Sequence, residues 1–501
     1  MTGPVAPTRE ESLMTTKVLN PTTAVDHYRS LFRARATRRV GAEPPWLADL
    51  RAAAMARFAA TGLPATRDER WHYTSLAAVA PVAFAPPGEQ CIGLDTGDLA
   101  PLLMAPGAKA RLCFVNGRLA PSLCLAPSLS ADGIGRGAPS PRGAGVSPTP
   151  AGDDPTGVHG RPCGGPAAPP ERSALRLAGW AQAIERWPDE MAHHLGHHLG
   201  ADQPVAELNM ALACDGAVLF VADGVDAGRV ELLFLTTATS EPLFSAPRNL
   251  IVLGAGAHAT VVENHVALGT ANAFADPVTE IDLGARAQLD YLKLVHEPGS
   301  FHTATVAVTQ GCDSRLTAHL LALGGRLART EFATHLAGAG GSAQLFGLAL
   351  AGGGDHLDLT TRIDHDALAT RSRELVKQIV TGRGRGCFSG LVHVHPGAQQ
   401  TDARLTNANL LLSDRAEADT RPILRIDADD VKCSHGATVG RLDDEALFYL
   451  RARGLDADEA RQILTAAFAT EVVASVADPT VAAAVRARVD RRLTELLEEP
   501  R

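Results

Sequence analysis

Gln288-Leu-Asp-Tyr-Leu-Lys-Leu294 and, one interval later, Arg315-Leu-Thr-Ala-His-Leu-Leu321 decide the fold of this chain. Apolar and polar side chains alternate in both, the period of a strand that buries one face. Val230-Glu-Leu-Leu-Phe-Leu235 and Ala259-Thr-Val-Val-Glu263 carry the same pattern upstream. Turn glycines near 256, 284, 311 and 338–341 space these strands at intervals of about 27 residues, within the range of repeat architectures. One coil of that length cannot cover its own apolar face, whereas stacked coils build a continuous core. A sandwich would also give short strands and regular turns. The steady rhythm from 205 to 440 favours a β-solenoid.

Outward from that core the pattern changes. Residues 22–126 are expected to be a helical region, with Leu47-Ala-Asp-Leu-Arg-Ala-Ala-Ala-Met-Ala-Arg-Phe58 showing three-to-four spacing and Gly62 and Pro64 ending it. Residues 1–21 are expected to be a disordered N-terminus, and 127–173 a disordered insertion. In 133–170, 19 of 38 positions are Gly or Pro, too little apolar surface to offset the entropy of ordering. A helical segment is expected over 174–204 and a C-terminal helical domain over 441–501. There Asp443-Asp-Glu445 suits a helix N-terminus, Asp456 and Glu459 have capping-box spacing, and Asp478-Pro479 breaks the run. Ile463, Ala467 and Phe468 form an apolar stripe, read as internal packing or as a partner face. The fold class is therefore mostly β with flanking α.

Bulk properties narrow the function. A net charge of −9 over 501 residues argues against a nucleic-acid protein. No run of 18 apolar residues suggests a membrane span. The first residues lack the basic-then-apolar order of a secretory signal, so a cytoplasmic protein is expected. None of the eight cysteines has Cys-x-x-Cys spacing, and apart from Cys433 they read as small buried hydrophobes with reduced thiols.

Chemistry concentrates in Ile426-Asp-Ala-Asp-Asp-Val-Lys-Cys-Ser-His-Gly-Ala-Thr-Val-Gly440. On a strand, Cys433 and His435 share a face and Ser434 points the other way. A thiolate and an imidazole suit iron or zinc. Two ligands do not close a site, so the rest must come from elsewhere, including another chain. Asp427, Asp429 and Asp430 flank the pair, and His393-Val-His395 lies one to two coils earlier. Asp430 is read equally as a turn cap, and His365 as a fold-building residue. His193, His194, His197 and His198 have the spacing of two helical metal-binding faces, but no Glu stands between them and Gly196 weakens the helix. No Gly-x4-Gly-Lys-Ser/Thr loop occurs, so no nucleotide is expected to bind this chain through one; Gly382-Arg-Gly-Arg-Gly386 reads as a solenoid turn. No Gly-x-Ser-x-Gly elbow occurs either.

Ala428-Asp-Asp-Val-Lys-Cys-Ser-His-Gly-Ala-Thr-Val-Gly440, the following Arg441–Gly454, and the preceding Ala398-Gln-Gln-Thr-Asp402 and Asn409-Leu-Leu-Leu-Ser413 carry a resemblance. So do Arg67-Asp-Glu-Arg-Trp-His-Tyr-Thr74, Phe114-Val-Asn-Gly117, Leu208-Asn209 and Pro247-Arg248. Together they resemble the SufB/SufD family of SUF iron–sulfur cluster assembly, in its SufD form. The SufB form reads like His-Glu-Ala-Thr-Val-Ser where this chain has His435-Gly-Ala-Thr-Val-Gly440. The resemblance implies a right-handed parallel β-helix and a non-catalytic scaffold. It implies SufB as partner across the β-helices and the ATPase SufC docked on the C-terminal helices, with a homodimer when SufB is absent. It also implies a transient iron or iron–sulfur cluster at the SufB–SufD interface, with His435 implicated in assembly and Cys433 matching beside it. A SufB-type paralogue is the alternative. A β-solenoid carbohydrate-active enzyme is the other, disfavoured by an aromatic content of 4%.

Overall fold

In the computed structural model, which describes residues 21–38, 43–88, 94–125, 174–199 and 203–498, the alternating segments stack as parallel strands into a solenoid with helices at both ends of the chain. One wall runs through Val230, Val261, Tyr291, Ala318, Leu345, Glu374, Leu405 and His435, each paired with the next in parallel register. The opposite wall runs through Leu219, Ile251, Ile281, Val308, Thr334, Ile363, Val392 and Leu424. The expected insertion at 127–173 and the expected N-terminal tail up to residue 20 lie outside the described residues.

The inward side chains of both walls form one continuous core, including Val261, Ile281, Leu345, Ile363, Phe388 and Leu405. Burying each such side chain contributes about 1.5–3 kcal/mol. At Gly284, Gly311 and Gly338 successive coils approach too closely for a side chain, whereas Gly256 serves its turn through a positive φ of +66°. A Cβ at Gly338 would lie 2.1 Å from the Cys312 backbone nitrogen, so no larger residue fits without moving the turn.

Two segments depart from the helical expectation. Ala110–Val115, within the region expected to be helical, is a strand that pairs in parallel with Asp226–Thr237 and extends the first wall. Its Phe114 stacks on Phe234 at 4.7 Å between ring centroids. Leu175–Gly179 is also a strand, antiparallel to Ala217–Val221. Both are short apolar runs whose partner strands outweigh local helix preference.

The N-terminal helices Pro21–Arg38 and Pro45–Thr61, with Pro204–Leu212, pack on Phe84, Phe244, Phe274 and Phe301 at one flank of the early coils. The Glu69–Thr74 segment docks the same way: Trp71 is buried under the Arg329 guanidinium, and the Thr74 hydroxyl reaches Asp358 and His356.

The C-terminal helices Asp444–Ala452, Ala457–Val473 and Pro479–Glu498 fold back along the outside of the first wall. Val472, Val485, Val489 and Leu493 cover the outward Leu292, Leu321, Leu348 and Ile379. Asp478 is anchored to Arg229 at 3.0 Å. Asp456 and Glu459 form the capping box that starts Ala457–Val473. The expected stripe divides: Phe468 packs against the wall, under Lys377, while Ile463 faces solvent. Among the described residues no helix is long and apolar enough to cross a membrane.

Candidate functional site

The solenoid ends on the strands Glu417–Ile426 and Lys432–Gly440, in which every residue is half-buried or exposed. No further coil follows, and the helices turn away to the outer wall. The last coil therefore presents both an inward face and a row of backbone groups to solvent, the arrangement that invites pairing with another chain.

Cys433 and His435 occupy the inward face of that coil. Their register partners are Ala403 and Leu405, each 1% exposed in the core. In any earlier coil these two positions would be sealed. Here Cys433 is half-buried against the end of the core and His435 is exposed. Strand periodicity thus places both groups on one side, and termination of the solenoid uncovers them.

The thiol is not poised as a thiolate by its own chain. Burial pushes Cys433 up, only partly opposed by the hydrogen bond from the Ala403 backbone amide, and the Asp402 carboxylate adds to the rise. The group that lowers it must arrive from outside; a metal ion or a partner's cation would do so. Of the flanking carboxylates, Asp427 accepts from His393 and from Arg425 at 3.0 and 3.1 Å. Asp430 acts through its backbone: its N–H donates to Gln399 and its carbonyl accepts from Gln400.

Other sequence candidates resolve differently. His365 is fully buried, with both ring nitrogens held by Thr370 and Ser372 at 2.8 and 2.9 Å, a turn-building role. The histidine group does not form two helical faces, because the helix ends at His194 and Gly196 takes a φ of +83°. The turn nevertheless brings His194 and His198 beside Asp282, with His194 Nδ1 3.0 Å from that carboxylate. Cys113, Cys124, Cys214, Cys387 and Cys433 are free thiols, whereas Cys312 is disulfide-bonded, so the expectation of reduced thiols fails there.

Sequence comparison gives consistent matches. The family model described as "SUF system FeS cluster assembly, SufBD core domain" matches residues 234–468. The iron–sulfur cluster assembly protein SufD of Escherichia coli is 40% identical over 247 residues, 49% of this chain and 58% of that protein. An iron–sulfur cluster assembly SufBD family protein of Synechocystis is 29% identical over 445 residues, 86% of this chain and 88% of that protein. A chloroplastic protein of Arabidopsis thaliana, ABCI7, is 30% identical over 299 residues, 57% of this chain and 63% of that protein. The match to the E. coli protein therefore spans less than two thirds of its length.

Proposed function

The chain belongs to the SufBD family of iron–sulfur cluster assembly proteins, and on that premise we propose that it is a SufD-type scaffold subunit with no catalytic step of its own. One observation carries the reading: Cys433 and His435 stand side by side on the uncovered inner face of the last coil, an incomplete ligand set at a surface built for pairing. A SufB-type subunit would close that end and supply the remaining ligands, making a composite site between two solenoids. Iron and sulfide enter there as cargo. His435 offers a ring nitrogen, and Cys433 a sulfur that becomes a thiolate as the metal arrives.

The ATPase partner, SufC in this scheme, docks on the C-terminal helices. Phe448 is 73% exposed, and Tyr449 and Ile463 join it as large apolar side chains facing solvent on those helices. Movement of that unit would be transmitted along the wall it covers. The place of action is the cytoplasm, and without a SufB-type partner the same open end would pair two copies of this chain.

The test is cluster formation in the assembled complex. His435→Ala leaves the complex intact and abolishes or sharply reduces the cluster formed; an unchanged cluster yield with His435→Ala removes this residue from the site.

A further inference from the structure

The geometry points to a divalent transition-metal site on the outer surface of the second wall, formed by Asp364, His393 and His395 and distinct from the Cys433–His435 pair. We propose it from the side chains alone, so it stands whether or not the assembly reading holds.

Asp364 and His393 are direct register partners on the adjacent strands His356–His365 and Arg385–Val394. His395 follows where the chain leaves the second of these, its N–H bonded to the His365 carbonyl at 2.9 Å. Three candidate ligand atoms converge. His393 Nδ1 and His395 Nε2 each lie 3.3 Å from the same oxygen, Asp364 Oδ1. Ligands held about 2.0–2.2 Å from one metal ion are themselves roughly 3–3.5 Å apart, so little movement is needed to admit an ion. The two ring centroids lie 3.8 Å apart at 39°, and the candidate ligand atoms of all three residues lie within 4.8 Å of one another.

The surroundings fit ligation as well. His393 is buried, and its other nitrogen, Nε2, is 3.0 Å from Asp427 Oδ2. That carboxylate fixes the proton on Nε2 and leaves Nδ1 as the lone-pair nitrogen, the outer-sphere arrangement common to metal-bound histidines. Arg362 holds both oxygens of Asp364, at 2.5 and 2.7 Å. A carboxylate has about four lone-pair positions, so Oδ1 keeps one for a metal. Two imidazoles and one carboxylate suit Fe(II), Mn(II), Co(II) or Zn(II). His395 is partly exposed, so positions remain for water or an exchangeable ligand. Asp427 stands on the turn that runs directly into Lys432–Gly440, placing this site at the approach to the open end.

The probe is Co(II), whose visible bands report coordination, titrated into the full chain carrying His194→Gln, His198→Gln, Cys433→Ser and His435→Gln so that other candidate ligands are silent. The expected result is one equivalent bound, lost on adding His395→Gln with an unchanged melting curve. Asp427→Asn weakens binding about 10-fold by releasing His393. Because His395 is partly exposed its substitution should not unfold the chain; Asp364→Asn provides the same test through a different ligand. No Co(II) bound in the silent background, or binding that survives both His395→Gln and Asp364→Asn, overturns the proposal.

Discussion

Replacing Glu374 with Gln should make the protein much more stable at pH 8 and only slightly more stable at pH 5. Glu374 faces the solenoid interior between Leu345 and Leu405 in the register of the first wall, and it is 4% exposed. Neither carboxylate oxygen has a hydrogen-bond partner. Burial pushes its pKa from 4.5 up to about 7, and the nearby Thr361 hydroxyl, outside hydrogen-bond geometry, opposes this only in part. The sign follows from the two states. Below pH 4.5 the group is neutral whether the chain is folded or not, and it costs nothing extra. Between 4.5 and about 7 the unfolded chain loses the proton while the folded chain keeps it, so stability falls as pH rises and levels off above. At about 1.4 kcal/mol per pH unit, the interval amounts to about 3 kcal/mol. A glutamine of the same size does not titrate, and it resembles the neutral acid in leaving buried polar atoms unbonded. Urea denaturation of the two proteins at pH 5 and pH 8 measures the difference, and the thermal midpoint at pH 8 should rise by several degrees. If the two proteins keep the same stability difference at both pH values, Glu374 does not carry this linkage.

A second expectation concerns the charged group inside the early coils. Lys293 and Glu263 form a buried ion pair, with His265 2.8 Å and Tyr291 2.6 Å from the same carboxylate. Burial pushes Glu263 up, but Lys293 and His265 hold it well below the usual range. Lys293→Met strands that charge and should destabilise by about 3–5 kcal/mol, with Lys293→Met/Glu263→Gln recovering much of the loss; an unchanged melting midpoint in the single variant contradicts this. On the C-terminal helices, Phe448→Ala with Tyr449→Ala should reduce copurification of the ATPase without altering the melting curve, since both side chains face solvent. Retention of the ATPase at the native level would place its docking elsewhere.

Much of the solenoid was legible because alternation and turn glycines are local signals. Their cause is visible at Gly338, where the neighbouring coil excludes a side chain. The outward leucines such as Leu292 were less informative, since they are apolar only because C-terminal helices cover them. Ala110–Val115 escaped recognition as a strand because its partner lies across the insertion: Leu112 pairs with Leu232. At the site, period two placed Cys433 and His435 on one side. That this side is the solenoid interior, uncovered because the coil is the last, depends on where stacking stops and has no local signature. Asp364 and His393 meet through coil register, a separation that becomes readable only once the coil length at that point is known. His194 and His198 do approach each other, but through a turn at Gly196 and not on a helix face.

The most direct test of the open end as a shared half-site is amide hydrogen exchange of this chain, alone and mixed with a SufB-type subunit. Lys432–Gly440, which carries Cys433 and His435, should exchange rapidly in the chain alone when it is diluted to the monomer and become strongly protected in the mixture, while the buried strand Gln288–Gln310 stays protected throughout. Unchanged exchange over 432–440 in a mixture that has demonstrably assembled would contradict the account, because the partner would then have docked away from the two groups it is meant to complete.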